Sequence, residues 1–465
     1  MPLRADARRL RRWGARAPRR HEEDPRHHRV PAAHRGARAA ARWGRRVPDR
    51  LPPPRGARRH PAAHRPVARA LARRARRPAR AARRGPPHRA RHPRDGRDRR
   101  AGRAAALGPQ GQAREGRAHG GAVLRAAYFK EHGGADKILY GDYPDPAPAV
   151  GEVVVRVRAC ALNHVDMLLL DGRFPPPEGL PHVNGCEVTG TVETLGAAVQ
   201  GLARGQRVIV FPGFSCGTCE YCLRGERTVC VRYGYLGAHK DGGYAELVKA
   251  PASNVLPLPE AIGFEAGAAL PLAFLTSWHA LVARAELRPG QTVLVQAAGS
   301  GVGSAAIQIA RLMGARVIAT VGADDKVEFA KALGAERVVN YRREDFVEAA
   351  KTWTNKRGVD VVIEHIGGET LEKSVYALTR LGTLVTIGSH DTHWGRLDLR
   401  HVYGKNLRIV GTNLGSIGEL RTILDGVAQG TLKPVIDRSF PLSNARAAVQ
   451  YVLDRKNKGK VLLVS

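Results

Sequence analysis

The apolar positions of the chain fall into two regimes. From Leu124 to about residue 270 they come in short runs: Val153-Val154-Val155-Arg156-Val157-Arg158-Ala159, Val188-Thr189-Gly190-Thr191-Val192-Glu193 and Gln206-Arg207-Val208-Ile209-Val210, with Gly and Pro between them. β-Branched runs bounded by turn formers predict strands, and many short ones predict a compact, barrel-like β domain. After Pro289 the period changes. Thr292-Val293-Leu294-Val295-Gln296 reads as a buried strand, and Arg316-Val317-Ile318-Ala319-Thr320-Val321 as a second. Between them Ala306, Ile307, Ile309, Ala310 and Met313 recur at helical spacing, with Gly314 as the stop. A strand over residues 360–363, a helix over about 368–381 and a strand over 383–388 repeat the alternation. Strand and helix in strict alternation predict a doubly wound parallel sheet.

The link between the first strand and its helix is Ala297-Ala298-Gly299-Ser300-Gly301-Val302-Gly303. Strand, Gly-rich turn, helix and strand in about thirty residues form a unit that binds a dinucleotide. Glycines let the backbone approach the pyrophosphate, and the helix N-terminus offers free N–H groups to an anion. Ala298 and Ser300 stand where two glycines are usual, so an ordinary tight turn is the competing reading; the flanking alternation favours the dinucleotide.

All six cysteines lie in the later part of the chain. Cys216, Cys219, Cys222 and Cys230 follow C-x2-C-x2-C-x7-C. Four thiolates on one short loop suit a closed tetrahedral zinc site, which has no open position and does no chemistry. Free or disulfide-bonded cysteines are the alternative.

The four-Cys loop, the nucleotide turn and the pattern Gly185-x-Glu187-x2-Gly190-x5-Gly196 make residues 124–465 resemble the medium-chain dehydrogenase/reductase superfamily of zinc alcohol dehydrogenases and quinone oxidoreductases. The resemblance implies a GroES-like β-barrel catalytic domain (residues 123–270), a Rossmann nucleotide-binding domain (271–410) and a C-terminal return to the catalytic domain (411–465). It implies hydride transfer between a nicotinamide and a small molecule in the cleft, by a homodimer or homotetramer.

Zinc alcohol dehydrogenases of this superfamily hold a second, catalytic zinc on three protein ligands. The corresponding positions here read Asn163, Cys186 and Leu272. Leucine cannot ligate and Asn is a poor zinc ligand, so a catalytic zinc is not expected; a site rebuilt from Cys186 with Cys160 or His164 is the alternative. The quinone oxidoreductases carry Asn at the first position, which implies catalytic roles for Asn163 and His164 in polarising the substrate.

The resemblance also places the cofactor. No carboxylate follows the second strand to accept an unphosphorylated ribose. Gly322, Lys326 and Tyr341 match the positions that receive a 2′-phosphate in the quinone oxidoreductases, which implies NADP(H). Asp324 and Asp325 read as the N-cap of the next helix. Thr276 matches a threonine near the carboxamide; Ile366, Gly367 and Gly388 match the strand ends bordering the nicotinamide. Gly299, Gly301, Val302 and Gly303 form the pyrophosphate turn.

Charge divides the chain in a second way. Of a net +34, residues 1–122 hold 37 Arg against 8 acidic residues and no Lys. They also lack Ser, Thr, Asn, Ile, Phe, Tyr and Cys, so no core can form and disorder is expected. A nucleic-acid-binding arm and a transit peptide are two readings. A mis-assigned start, with GC-rich upstream DNA translated in frame, accounts best for the missing residue types. The remainder is near neutral, so nucleic acid is not an expected partner. No run of about twenty apolar residues predicts a membrane span, and the cytoplasm is the expected location.

The reading that results is an NADP(H)-dependent oxidoreductase acting on a quinone, enone, aldehyde or other small carbonyl or alcohol, with structural zinc. Its rivals are a zinc alcohol dehydrogenase with an altered metal site and, from another class, a non-enzymatic nucleotide sensor or nucleic-acid-binding protein.

Overall fold

The computed structural model of the protein describes residues 123–465. The expectations for residues 1–122 lie outside the described residues. The β-rich part builds a sheet around β1 (Glu152–Ala161), whose Val153, Val155 and Val157 face a core shared with Val188, Val208 and Val210. Helix α1 (His164–Leu170) follows β1 directly, and β2 (Glu187–Leu195) pairs antiparallel with it. The next neighbour outward is Arg207–Val210, then Val255–Pro257. The sequence reading finds the first three of these strands, the first two running longer than expected and the third starting one residue later, and it does not name Val255–Pro257.

Helix α2 (Ala273–Trp278), wholly buried, leads into the second domain. There β3 (Thr292–Val295), β4 (Arg316–Val321), β5 (Arg337–Asn340), β6 (Val359–Glu364), β7 (Leu378–Thr386) and β8 (Arg408–Gly411) form one six-stranded sheet. Every pairing in it is parallel, in the order β5-β4-β3-β6-β7-β8. The order reverses at β3, and that switch point is where α/β sheets bind ligands. Helix α3 (Gly301–Leu312) packs there with Ala305, Ala306, Ile307, Ile309 and Ala310 inward.

Two local expectations are corrected. Helix α4 (Gly368–Ala377) stops four residues before the expected end, because β7 already starts at Leu378 in register with Val359. The backbone takes a positive φ of 61° at Leu381, so the strand carries an irregularity that periodicity does not reveal. Asp324 and Asp325 cap no helix: they lie inside the 3-10 turn Asp324–Lys326, whose N-cap is Ala323.

After β8, the helix Ile417–Ala428 packs on α2, and the chain returns to the first domain. The last strand, β9 (Lys460–Val464), pairs antiparallel with β1, Leu463 opposite Cys160. The C-terminus therefore carries Lys460 into the buried interior of the first domain. Among the described residues no helix is long and apolar enough to cross a membrane.

Candidate functional site

The site is organised by a buried ion pair that the sequence reading passed over. Glu187, the first residue of β2, is 0% exposed, and Lys460, the first residue of β9, is 5% exposed. Lys460 Nζ lies 2.6 Å from Glu187 Oε2 and donates to Asn163 Oδ1 at 2.7 Å and to the Leu162 carbonyl at 2.7 Å. Asn163 Nδ2 donates to Glu187 Oε2 (2.9 Å) and to the Ala161 carbonyl (3.2 Å). Glu187 Oε1 accepts from the backbone N–H of Leu272 and Ala273, at 2.6 and 3.0 Å. Charges leave water only when paired and hydrogen-bonded, and here both ions are.

This network corrects the expected role of Asn163. Both of its amide protons are engaged inside the protein, so it has none left for a substrate. Its backbone N–H binds Asp166 Oδ2 at 2.7 Å, and Tyr244 donates to the same oxygen at 2.8 Å. Burial pushes the Asp166 carboxyl up to about 6 against those two donors.

The three positions of a second metal do not fit zinc. The Asn163 amide oxygen faces an ammonium, and Leu272 offers only its backbone N–H. Cys186 is fully buried and belongs to no group of three or more ligating side chains among the described residues. Among the described residues one group of three or more ligating side chains comes together, and it is the four-Cys loop.

That loop fits its metal. The four sulfurs lie within 4.8 Å of one another, with Cys219–Cys230 at 3.8 Å and Cys216–Cys222 at 4.0 Å. Zn–S bonds of about 2.3 Å place tetrahedral sulfurs about 3.8 Å apart. Backbone N–H groups already turn to the sulfurs: Cys219 to Cys216 Sγ (3.3 Å), Cys216 to Cys230 Sγ (3.2 Å) and Arg232 to Cys230 Sγ (3.3 Å). Donors from Thr218 and then Cys219 bring the Cys216 thiol down to about 5.

The nucleotide turn is built at the carboxyl end of β3. Ser300 caps α3, its Oγ accepting from the Gly303 N–H at 2.9 Å. A Cβ on Gly303 would lie 2.3 Å from the Ala297 carbonyl, so only glycine lets helix and strand approach this closely. Gly301 faces Lys460, whose Cδ would be 2.5 Å from a Cβ there. Val302 is tied to α2, its carbonyl accepting from Ser277 Oγ at 3.0 Å, and Thr276 sits beside it on α2, nearly buried.

At the ends of β4 and β5, Gly322 and Tyr341 meet: a Cβ on Gly322 would lie 2.5 Å from the phenolic oxygen. Lys326 lies over Gly299, and its Nζ donates to the carbonyls of Arg455 (2.8 Å) and Asn457 (2.9 Å). Two of its three protons are thus committed and one is not. Beyond β6, Gly367 adopts a φ of 85° and a Cβ would strike the Thr392 carbonyl at 2.4 Å. The N–H groups of Ile366 and Gly367 are held by Glu364 Oε1 at 2.7 and 3.0 Å. Gly388 lies at the end of β7 beside His365 and His390. His164, the first residue of α1, keeps a buried Nε2 without a partner and stacks on His390. Burial first, then Arg173 and Arg455, lower its imidazole to about 4.

Sequence reasoning missed Glu187 and Lys460 as a pair and His365 and His390 altogether. The pair stands 273 positions apart in the chain, and each histidine follows a strand end, where ligands are expected.

Comparison with known proteins places this architecture. Residues 149–260 match the alcohol dehydrogenase GroES-like domain and residues 301–429 the zinc-binding dehydrogenase family. The chain is 30% identical to a quinone oxidoreductase of Rattus norvegicus over 75% of its own length and 99% of the relative's. It is 33% identical to an acryloyl-coenzyme A reductase of Metallosphaera sedula, over 69% of this chain and 94% of that one. A solved structure described as an NAD-dependent alcohol dehydrogenase superposes with a TM-score of 0.71 at 42% identity, covering 73% of this chain and 99% of that one. The chain belongs to the medium-chain dehydrogenase/reductase superfamily.

Proposed function

We propose that the protein is an NADP(H)-dependent oxidoreductase that reduces a small quinone, enone or aldehyde, with structural zinc on Cys216, Cys219, Cys222 and Cys230 and no catalytic zinc. The observation that carries the reading is the Lys460–Glu187–Asn163 network. At two of the three positions where relatives would ligate a metal, the Asn163 amide is held by Lys460 and Glu187 and the Leu272 N–H by Glu187.

The bound dinucleotide supplies the hydride. The residues of this chain hold, orient and shield. The turn Gly299–Gly303 and the N-terminus of α3 offer backbone N–H groups to the pyrophosphate, and Thr276, Ile366, Gly367 and Gly388 border the nicotinamide. Gly322, Tyr341 and the uncommitted proton of Lys326 receive the 2′-phosphate. Asn163 acts as a fixed strut. His164, whose Nε2 is open, is the donor that remains for the substrate oxygen. Without a metal, hydrogen bonding must stabilise charge developing there, and solvent supplies the proton.

The solved relative described as NAD-dependent marks the competing cofactor. The test is a panel of quinones, enones, aldehydes and alcohols with NADPH, NADH and their oxidised forms, together with metal analysis. Turnover with one zinc per chain supports the reading. Two zincs per chain, with loss of activity on removing the second, point instead to an alcohol dehydrogenase with an altered metal site.

A further inference from the structure

Three imidazoles meet where the two domains face each other. His164 opens α1, His365 directly follows β6, and His390 lies four residues beyond β7. The rings of His164 and His390 are stacked with centroids 3.8 Å apart, and His365 stands edge-on to His390 at 5.1 Å. His365 is 2% exposed, and neither of its ring nitrogens has a hydrogen-bond partner. His164 Nε2 is likewise buried and unpartnered. Leaving a buried polar atom unmet costs about 1–3 kcal/mol. A fold that gathers such nitrogens at a cleft is built to have them met by what enters.

Their position says what that is. A Cβ on Gly388 would lie 3.8 Å from His365 Cβ and 3.8 Å from His390 Nε2. The His390 ring and the β-carbon of His365 therefore lie beside a glycine expected to border the nicotinamide. The rings are neutral near pH 7. Burial, and then His164, hold His365 down to about 4; burial, and then His365 and His164, hold His390 down to about 2. The charged groups around them are Arg173, which Asp171 pairs, and Arg455. Glu364 precedes His365, but its Oε1 is turned to the N–H groups of Ile366 and Gly367. A neutral imidazole keeps one N–H to donate, and it can polarise a carbonyl without carrying charge.

We propose that His365 is a second hydrogen-bond donor to the reacting oxygen, working as a neutral imidazole, and that the stacked pair His164–His390 covers it until the cleft is filled. This rests on the hydride-transfer reading above. As the substrate carbon gains the hydride, the π pair moves to oxygen. The His365 N–H holds that oxygen, and solvent delivers the proton that completes the alcohol or enol. The dihydronicotinamide is the species oxidised.

The test uses the full, zinc-loaded chain and the variants His365→Leu and His365→Gln. Removing one oxyanion donor typically lowers kcat by about 10²–10³-fold. That loss is expected for His365→Leu, with the dinucleotide Kd by fluorescence titration and the melting temperature close to wild type. His365→Gln keeps an N–H and is expected to recover about tenfold or more of the loss. Nitrogen NMR of labelled histidine should show His365 neutral from about pH 5.5 upward, with its signal moving when an unreactive amide analogue and the oxidised dinucleotide are added. The proposal is overturned by wild-type kcat in His365→Leu, by a loss confined to dinucleotide Kd, or by an imidazolium signal at neutral pH. A wild type that reduces no member of the panel with either dinucleotide overturns the functional reading and this one with it. An active wild type beside an equally active His365→Leu overturns only this one.

Discussion

Lys460 Nζ and Glu187 Oε2 are 2.6 Å apart in a region closed to water, and through them the last strand of the chain is fastened to the catalytic core. Removing one partner of such a pair leaves a charge with no counter-ion, which typically costs about 3–5 kcal/mol. Lys460→Met is expected to lose stability of that order. The double variant Lys460→Met/Glu187→Gln should recover part of it, because the orphaned charge is gone. Denaturant unfolding of the four members of the cycle measures the coupling, and additive losses would show that the pair is not coupled.

Cys219→Ser should lower zinc below one per chain and expose residues 213–231 to protease, while the nucleotide domain keeps its dinucleotide affinity. Metal analysis and limited proteolysis read the two effects separately. A variant with full zinc and unchanged protection would remove Cys219 from the ligand set.

Cofactor choice turns on Lys326. A charge-assisted hydrogen bond contributes about 1.5–3 kcal/mol, and about 1.4 kcal/mol is tenfold. Two protons of Lys326 already serve the carbonyls of Arg455 and Asn457. A single contact to phosphate then implies about a tenfold preference for NADPH over NADH, the low end of the range. Lys326→Ala should weaken NADPH by about that factor and leave NADH nearly unchanged, as kcat/KM for both cofactors would show. Equal or better use of NADH by wild type would return Lys326 to a purely structural role and match the relative described as NAD-dependent.

Acid should loosen the cleft. His164 and His365 are held near 4 and His390 near 2, below the ordinary 6.5, so the folded state binds fewer protons than the unfolded one. Stability therefore rises with pH across this window, is complete above about 6.5, and is lost as pH falls toward about 4 for His164 and His365 and on toward about 2 for His390. Asp166, raised to about 6, acts in the opposite sense over part of the same range. The informative quantity is thus the difference between wild type and His390→Gln. The variant should show a flatter melting temperature between about pH 6.5 and about pH 4; parallel curves would mean the imidazoles are not coupled to folding.

A chain beginning at Val123 should match the full chain in zinc content, melting temperature and turnover, since residues 1–122 have no apolar period with which to join a core. Loss of folding or of dinucleotide binding on truncation would contradict this.

The sequence by itself determined much of this protein. The alternation of strand and helix after Pro289 specified the parallel sheet, because a strand buried on both faces and an amphipathic helix each have a period readable without a partner. The C-x2-C-x2-C-x7-C spacing specified that four sulfurs gather within 4.8 Å of one another, because they lie on one short loop. The glycines at 299, 301 and 303 specified the turn for the same reason. What tertiary structure decided was every pairing across long separations. Asn163 reads as a substrate-binding amide until Glu187 and Lys460 arrive from two other strands and engage it. His365 and His390 carry no signal in the sequence until β6 and β7, adjacent in the sheet, bring their ends beside α1. Local sequence encodes period, caps and turns. It does not encode which distant side chain supplies the second half of a buried hydrogen bond, since that is set by strand order and register.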